Sequence, residues 1–290
     1  MNYDIVILGH FSNDKLVIRG VEKKAAGGAV YYGGLALGRM NIRSAIITLL
    51  KNDDFHQLDI LKRNGVDVFA HESQVTSGIR NRYVTDDHDK RICEPLTLAG
   101  AFKEEHVTNI ESKVLHIGSL MAGEVSLGLV QYITKRFPKV SLDLQGFLRV
   151  RQGKELKFVD WPEKEQGLGR IHTVKADSVE AEVITGEKNL ANAARMIASW
   201  GPKEVIITHS EGLLVYAGGE VFEASFVIRS LDGRTGRGDT CIVAYLARRL
   251  TSSAEDSCKF AAAVTSLKLE KEGPLDKTFE DILDKIDRDY

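Results

Sequence analysis

The 290-residue sequence predicts an α/β chain whose core is a mostly parallel sheet flanked by helices. Two patterns carry the prediction. Short runs rich in β-branched and apolar residues recur along the chain, and segments with apolar residues three and four apart separate several of them. Strands alternating with helices in this way are joined by helical crossovers, which run neighbouring strands parallel.

The strand runs fall at residues 4–8, 44–49, 114–117, 140–144, 172–174, 205–208 and 213–217. The first is apolar only over 5–8 and follows Asp4, which is too short and wrongly charged for a secretion signal. Helical spacing marks 55–64, 124–137 and 190–200. The clearest helix is expected to begin at or just after Asp239. There Val243, Leu246, Ala247 and Leu250 follow helical spacing, and Arg248 and Arg249 sit at the end where the helix dipole favours cations.

Two segments depart from this rhythm. Residues 16–21 and 78–95 read as extended strands of alternating polarity, the second folding back at 86–89, with no helix to place either in a parallel sheet. They predict a small antiparallel lid, drawn from 15–24 and 78–95 and inserted in a single domain spanning 1–290. A lid of this kind can close over a site.

Charge narrows the partner. Thirty-nine basic residues against 41 acidic ones leave a net charge of −2, interleaved throughout, so no broad field exists for a nucleic-acid backbone or an anionic membrane. No stretch approaches the roughly 20 apolar residues that span a bilayer. The partner expected is therefore a small molecule. The three cysteines, Cys93, Cys241 and Cys258, form no CxxC pair, and none of the eight histidines stands at a metal-ligand spacing. The expectation is a reducing cytoplasm and no zinc site.

Residues 231–240, LDGRTGRGDT, place three glycines around two arginines just ahead of the clear helix. If Gly236, Arg237 and Gly238 form the turn into it, their backbone N–H groups converge where the helix dipole adds positive charge, a site for phosphate or a developing oxyanion. Asp239 would then stand ready to accept a proton from a hydroxyl attacking a phosphoryl group. The plainer use of such an aspartate is to cap the helix. GxxxxGKS/T, HExxH and GxSxG are absent.

The stretch 232–239 resembles the D-T-x-G-A-G-D signature of the ribokinase-like (PfkB) carbohydrate kinase family, with one residue more between Asp232 and Thr235-Gly236. Further segments follow in the family's order. Residues 9–14 (GHFSND) are similar to the first-strand motif whose final aspartate, here Asp14, binds sugar hydroxyls. Gly27-Gly28 and the following AVYYGGLALG are similar to the Gly-Gly signature that lines the substrate pocket and opens a helix. Residues 175–180 (KADSVE) resemble K-x-N-x-x-E, an element tied to magnesium and phosphate, and 208–212 (THSEG) resemble the nucleotide loop T-x-G-x-x-G.

The resemblance implies a ribokinase-like fold and phosphorylation of a hydroxyl on a sugar, polyol or sugar acid, with ATP and Mg2+ and an optional monovalent cation. By the same resemblance Asp239 is the base and the amides of Gly236, Arg237 and Gly238 are the anion hole. Asp14, Gly27, Gly28, Tyr32, Asp143 and Arg149 hold the substrate. Lys175, Asp177, Thr208, Ser210, Gly212 and Thr235 lie along ATP, and Asp177 with Glu180 acts on magnesium, indirectly.

Departures from the pattern bear on the substrate. Tyr32 stands where many sugar kinases have Asn, which removes an amide able to bond several hydroxyls. Arg237 replaces a small residue and either reaches a phosphate or points to solvent. Asp177 replaces Asn and adds charge near the metal, and Ser210 replaces Gly and narrows the nucleotide loop. Residues 141–149 (SLDLQGFLR) put Asp143 and Gln145 at a strand end and Arg149 just beyond, where open α/β sheets bind ligands. With Tyr32, this D-x-Q-x-x-x-R segment resembles the inositol-kinase-like branch. A nucleoside kinase of the same fold and a non-catalytic sugar or nucleotide sensor are the alternatives. The mainly charged lid opposes the first, Asp239 the second. Exposed lid strands predict a homodimer.

Overall fold

The computed structural model describes residues 2–18, 20–83 and 91–290. The chain begins with β1 (Asn2–Leu8), β2 (Ser12–Ile18) and β3 (Val21–Gly27), then α1 (Ala29–Arg39), β4 (Ser44–Lys51) and, through a 3-10 turn, α2 (Asp59–Arg63). Next come β5 (Val66–Ser73), β6 (Gly78–Tyr83), β7 (Arg91–Thr97), β8 (Glu111–Ile117), α3 (Leu127–Arg136), β9 (Lys139–Asp143) and the single turn α4 (Gln145–Leu148). The hairpin β10 (Arg149–Gln152) and β11 (Glu155–Phe158) precedes α5 (Lys164–Leu168), β12 (Thr173–Asp177), α6 (Ser178–Thr185), α7 (Leu190–Ser199) and β13 (Glu204–Thr208). The last elements are β14 (Gly212–Ala217), β15 (Glu220–Ser225), α8 (Arg237–Arg249), α9 (Ala254–Leu269) and α10 (Phe279–Asp289).

Nine strands form one sheet in the order β15-β14-β13-β12-β9-β8-β1-β4-β5, parallel from β13 through β5. Its central strands read as continuous apolar runs because both faces are covered. Alternate residues of β1 part accordingly. Ile5 and Ile7 pack with residues of α1, α8 and α9, whereas Val6 and Leu8 pack with residues of α3, α6 and α7. The edge strand β5 carries buried Val66 amid partly exposed residues, so it has no apolar run to announce it. No helix among the described residues is long and apolar enough to cross a membrane.

The small sheet differs from its expected form. Residues 16–21 are not one strand: the chain turns at Gly20, whose φ is +80°, so β2 and β3 form a hairpin reaching from Ser12 to Gly27. The order is β3-β2-β6-β7, and β2 pairs with β6 in parallel, because β6 enters only after the chain has passed through the main sheet. The expected fold-back at 86–89 lies outside the described residues.

Candidate active site

The carboxyl ends of β9, β12 and β13 and the first turn of α8 open on one cavity of about 410 Å3. The parallel register sets what faces it: Lys175 lies opposite Asp143, and Asp177 opposite Thr208. This is the end of an open α/β sheet at which ligands bind.

Helix α8 starts two residues earlier than its apolar spacing suggests. Gly236 takes the left-handed N-cap conformation at φ +81°, and a Cβ there would stand 2.2 Å from the Tyr32 ring. The helix therefore opens at Arg237, with Gly238 and Asp239 in its first turn. The Arg237 amide donates to the Arg234 carbonyl at 3.2 Å. Of the three amides expected to form an anion hole, those of Gly236 and Gly238 therefore remain, in the turn where helix N–H groups have no intrahelical acceptor. Arg234, Thr235, Arg237 and Asp239 line the same wall. Guanidinium groups, helix-terminal amides and a carboxylate on one wall can hold a phosphoryl group and take a proton from a hydroxyl approaching it.

Beside this wall lies a buried ion cluster whose Lys175, Asp143 and Asp177 also line the cavity. The Lys175 Nζ stands 3.1 Å from Asp143 and 3.6 Å from Glu180, and a Cβ on Gly238 would come within 2.9 Å of it. Burial acts to lower the Lys175 pKa, but Asp143, Glu180, Asp177 and Asp239 outweigh it and hold the ammonium charged. Asp177 and Glu180 form a reciprocal capping box at the start of α6, with Asp177 accepting from the Glu180 amide at 2.8 Å and the reverse bond at 2.7 Å. Asp177 lines the cavity, but Glu180 is buried beneath it, with Oε1 lacking a hydrogen-bond partner. Among the described residues no three His, Cys, Asp or Glu side chains gather into a metal cage. A wall carboxylate with an orphaned carboxylate oxygen behind it nevertheless fits magnesium, which keeps several waters and binds largely through phosphates.

Asp14 is buried in β2 and accepts from the Ile79 amide at 3.0 Å, tying two strands of the small sheet together. The two glycines that follow are required by this packing. A Cβ on Gly27 would meet the Asp14 carboxylate at 2.4 Å, and one on Gly28, at φ +91°, would meet the His10 carbonyl at 2.1 Å. Asp14, Gly28 and Tyr32 line the cavity, whereas Gly27 lies behind Asp14. His10 is in the connection from β1 to β2. It is wholly buried and bonded to Ser77, and it does not line the cavity.

Asp143 is held by Lys175 and by the Gln145 amide at 3.0 Å. Arg149 is only 7% exposed, so it is no surface charge. It donates to Gln145 Oε1 at 2.8 Å and sits 5.5 Å from the Phe158 ring centroid, on the cavity wall. Ser210 and Gly212 are not brought to the cavity. They lie past Thr208, in a turn that closes when the His209 amide donates to the Gly212 carbonyl.

Several lining residues escaped the sequence reading. The small sheet turns Ile79, Asn81 and Cys93 toward the cavity, while Arg80 and Arg82 pair with Glu94. The charges of Arg80 and Arg82 thus belong to the other face of β6, and alternation along the strand was the signal for it. The hairpin β10-β11 adds Leu156, Lys157 and Phe158 to the wall, and no local signal placed them there.

The sequence pattern of the pfkB family carbohydrate kinases matches residues 9–280. A pyrophosphate-dependent kinase in the ribokinase family, solved with a pyrophosphate analog and myo-inositol, is 36% identical and superposes with a TM-score of 0.90 over 97% of this chain and 99% of that one. A cytidine kinase of Thermococcus kodakarensis is 26% identical over 226 residues, 74% of this chain and 76% of the kinase. The Arabidopsis thaliana ribokinase complexed with ribose and ATP is 18% identical with a TM-score of 0.78, covering 99% of each chain, and shares the fold. The match across nearly the whole chain is what the site geometry alone left open, and with it the chain belongs to the pfkB family of carbohydrate kinases, as a phosphotransferase of ribokinase-like fold.

Proposed function

We propose that this kinase transfers a phosphoryl group from a diphosphate-bearing donor to a hydroxyl of a small cyclic polyol of the inositol type. The observation that carries the reading is the placement of Asp239 in the first turn of α8, on a wall with Arg234 and Arg237 and in one cavity with Asp14, Asp143 and Arg149. Asp239 takes the proton of the attacking hydroxyl, while the Gly236 and Gly238 amides and Arg237 hold the moving phosphoryl group in line. Asp14 and Arg149 bond the ring hydroxyls, Asp143 is oriented for them by Lys175, and Gly28 and Tyr32 shape the floor. Thr208, Thr235 and Asp177 lie on the donor side, with Asp177 holding magnesium through its waters. Magnesium, when bound, neutralises the phosphate oxygens.

ATP, which the resemblance implies, and inorganic pyrophosphate present the same diphosphate to this wall. Arg234 and Arg237 line the cavity at the head of α8, and Ser210 and Gly212 lie outside it. Charge rather than nucleoside contact therefore dominates donor binding, which favours pyrophosphate. The pyrophosphate dependence of neighbours 36% and 37% identical supports this reading. The small sheet closes the acceptor side as a lid within a single domain. A second acceptor reading, a nucleoside, is favoured by the apolar shelf of Ile79, Leu120, Leu156 and Phe158, on which a base could stack.

The test is product formation, followed by phosphorus NMR, from Mg-pyrophosphate and Mg-ATP across inositols, hexoses, ketoses, sugar acids and nucleosides. Turnover of a cyclic polyol is expected, with pyrophosphate the better donor. Asp239→Asn should lower kcat by about 10²–10⁴-fold while both ligands still bind. Turnover of nucleosides alone overturns the polyol assignment, and silence with every pair overturns the catalytic reading in favour of a binding protein.

A further inference from the structure

Lys268 is outside the cavity, yet it is 2% exposed and lies in the last turn of α9. Its Nζ donates to the Gly233 carbonyl, and it stands 5.6 Å from the Tyr32 ring centroid, the ring that Gly236 packs against. The same end of α9 binds the loop through a second link, because the Asp232 and Gly233 amides both donate to the Leu269 carbonyl, at 3.1 and 2.9 Å. Among the described residues no carboxylate lies within ion-pair distance of Lys268. A buried ammonium without a close counter-ion is costly and would be replaced by an apolar side chain if packing were its only use.

We propose that Lys268 is a positioning residue: its tethered ammonium fixes the 232–236 loop and supplies, from behind, a positive charge that favours the donor phosphates. This rests on the reading of that loop as the donor site. Burial lowers the Lys268 pKa to about 8, against the pull of Asp239 on α8 and Glu272 beyond α9, and Glu272 is itself paired with Lys23 of β3. Tyr32 of α1 presents its ring face. Donor kcat/KM should therefore fall as pH rises through about 8.

The experiment compares wild type, Lys268→Met, Lys268→Arg and Lys268→Ala with Mg-pyrophosphate or Mg-ATP, whichever turns over. Thermal melts confirm folding, and amide hydrogen exchange is read over 232–236. Lys268→Met should raise the donor KM about tenfold or more, as loss of a charged hydrogen bond does, leave the acceptor KM within about twofold, speed exchange in the loop and lose the alkaline limb. Lys268→Arg should keep activity to higher pH. Ammonium chloride, but not an equal ionic strength of tetramethylammonium chloride, should rescue Lys268→Ala. A folded Lys268→Met with wild-type donor KM and pH profile overturns the proposal. If the methionine variant does not fold, an unshifted alkaline limb in Lys268→Arg overturns it instead. If wild type is silent with every donor, the kinase reading fails by itself, and loop exchange unchanged in Lys268→Met then overturns the tether separately.

Discussion

Replacing Glu124 by glutamine should stabilise the protein above neutral pH. Glu124 is fully buried, with Oε1 accepting from the Leu120 and Met121 amides at 2.9 and 3.0 Å, and it thereby shapes the segment that carries Leu120 to the cavity. Its Oε2 stands 3.5 Å from His10 Nδ1. The Ala99 amide donates to Ser77 Oγ at 2.9 Å, and that oxygen stands 2.8 Å from His10 Nδ1. Burial pushes the carboxyl up to about 8, against the two amides, and pushes His10 down to about 3. Both groups are neutral at pH 7.

A carboxyl whose folded pKa exceeds its unfolded value near 4.5 stabilises the fold fully below that value, and the contribution is lost as pH rises toward 8. At about 1.4 kcal/mol per pH unit, the loss across that window is about 3–5 kcal/mol. Glutamine keeps the acceptor and adds a donor toward His10 without titrating. Urea denaturation of wild type and Glu124→Gln at intervals from pH 5 to 9 measures the difference. The variant should match wild type within about 1 kcal/mol at pH 5 and exceed it increasingly toward pH 8. Parallel pH profiles for the two proteins would refute the assignment of a protonated Glu124.

The remaining predictions concern the donor wall. Gly236→Ala forces a side chain into φ +81° and against the Tyr32 ring, so it should cost about 2 kcal/mol or more in thermal unfolding and raise the donor KM; an unchanged melting temperature would contradict the close packing. Lys175→Met leaves Asp143 and Glu180 buried without their cation and should destabilise by about 3–5 kcal/mol at pH 7. Adding Asp143→Asn should recover part of that loss, and strict additivity of the two substitutions in a double-mutant cycle would rule out the pairing.

By itself the amino-acid sequence determined seven of the nine strands of the main sheet and missed its two edges, β5 and β15, because a strand covered on both faces must be largely apolar, and β1, β4, β8 and β13 announce themselves in that way. It also placed Asp239 at the head of a helix, since a glycine-rich turn followed by apolar spacing is a local signal. Tertiary structure decided which charges meet. Lys175 and Asp143 stand 32 residues apart and become partners only because β12 lies beside β9 in parallel register. Gly233 and Lys268, 35 residues apart, meet only because the loop doubles back onto the end of α9. The start of α8, at Arg237 rather than Asp239, was set by the Tyr32 ring against Gly236, a contact no helical period contains. Periodicity records how a segment meets water and core, but the partner of a buried charge depends on which elements pack together, and that choice is made by the whole chain.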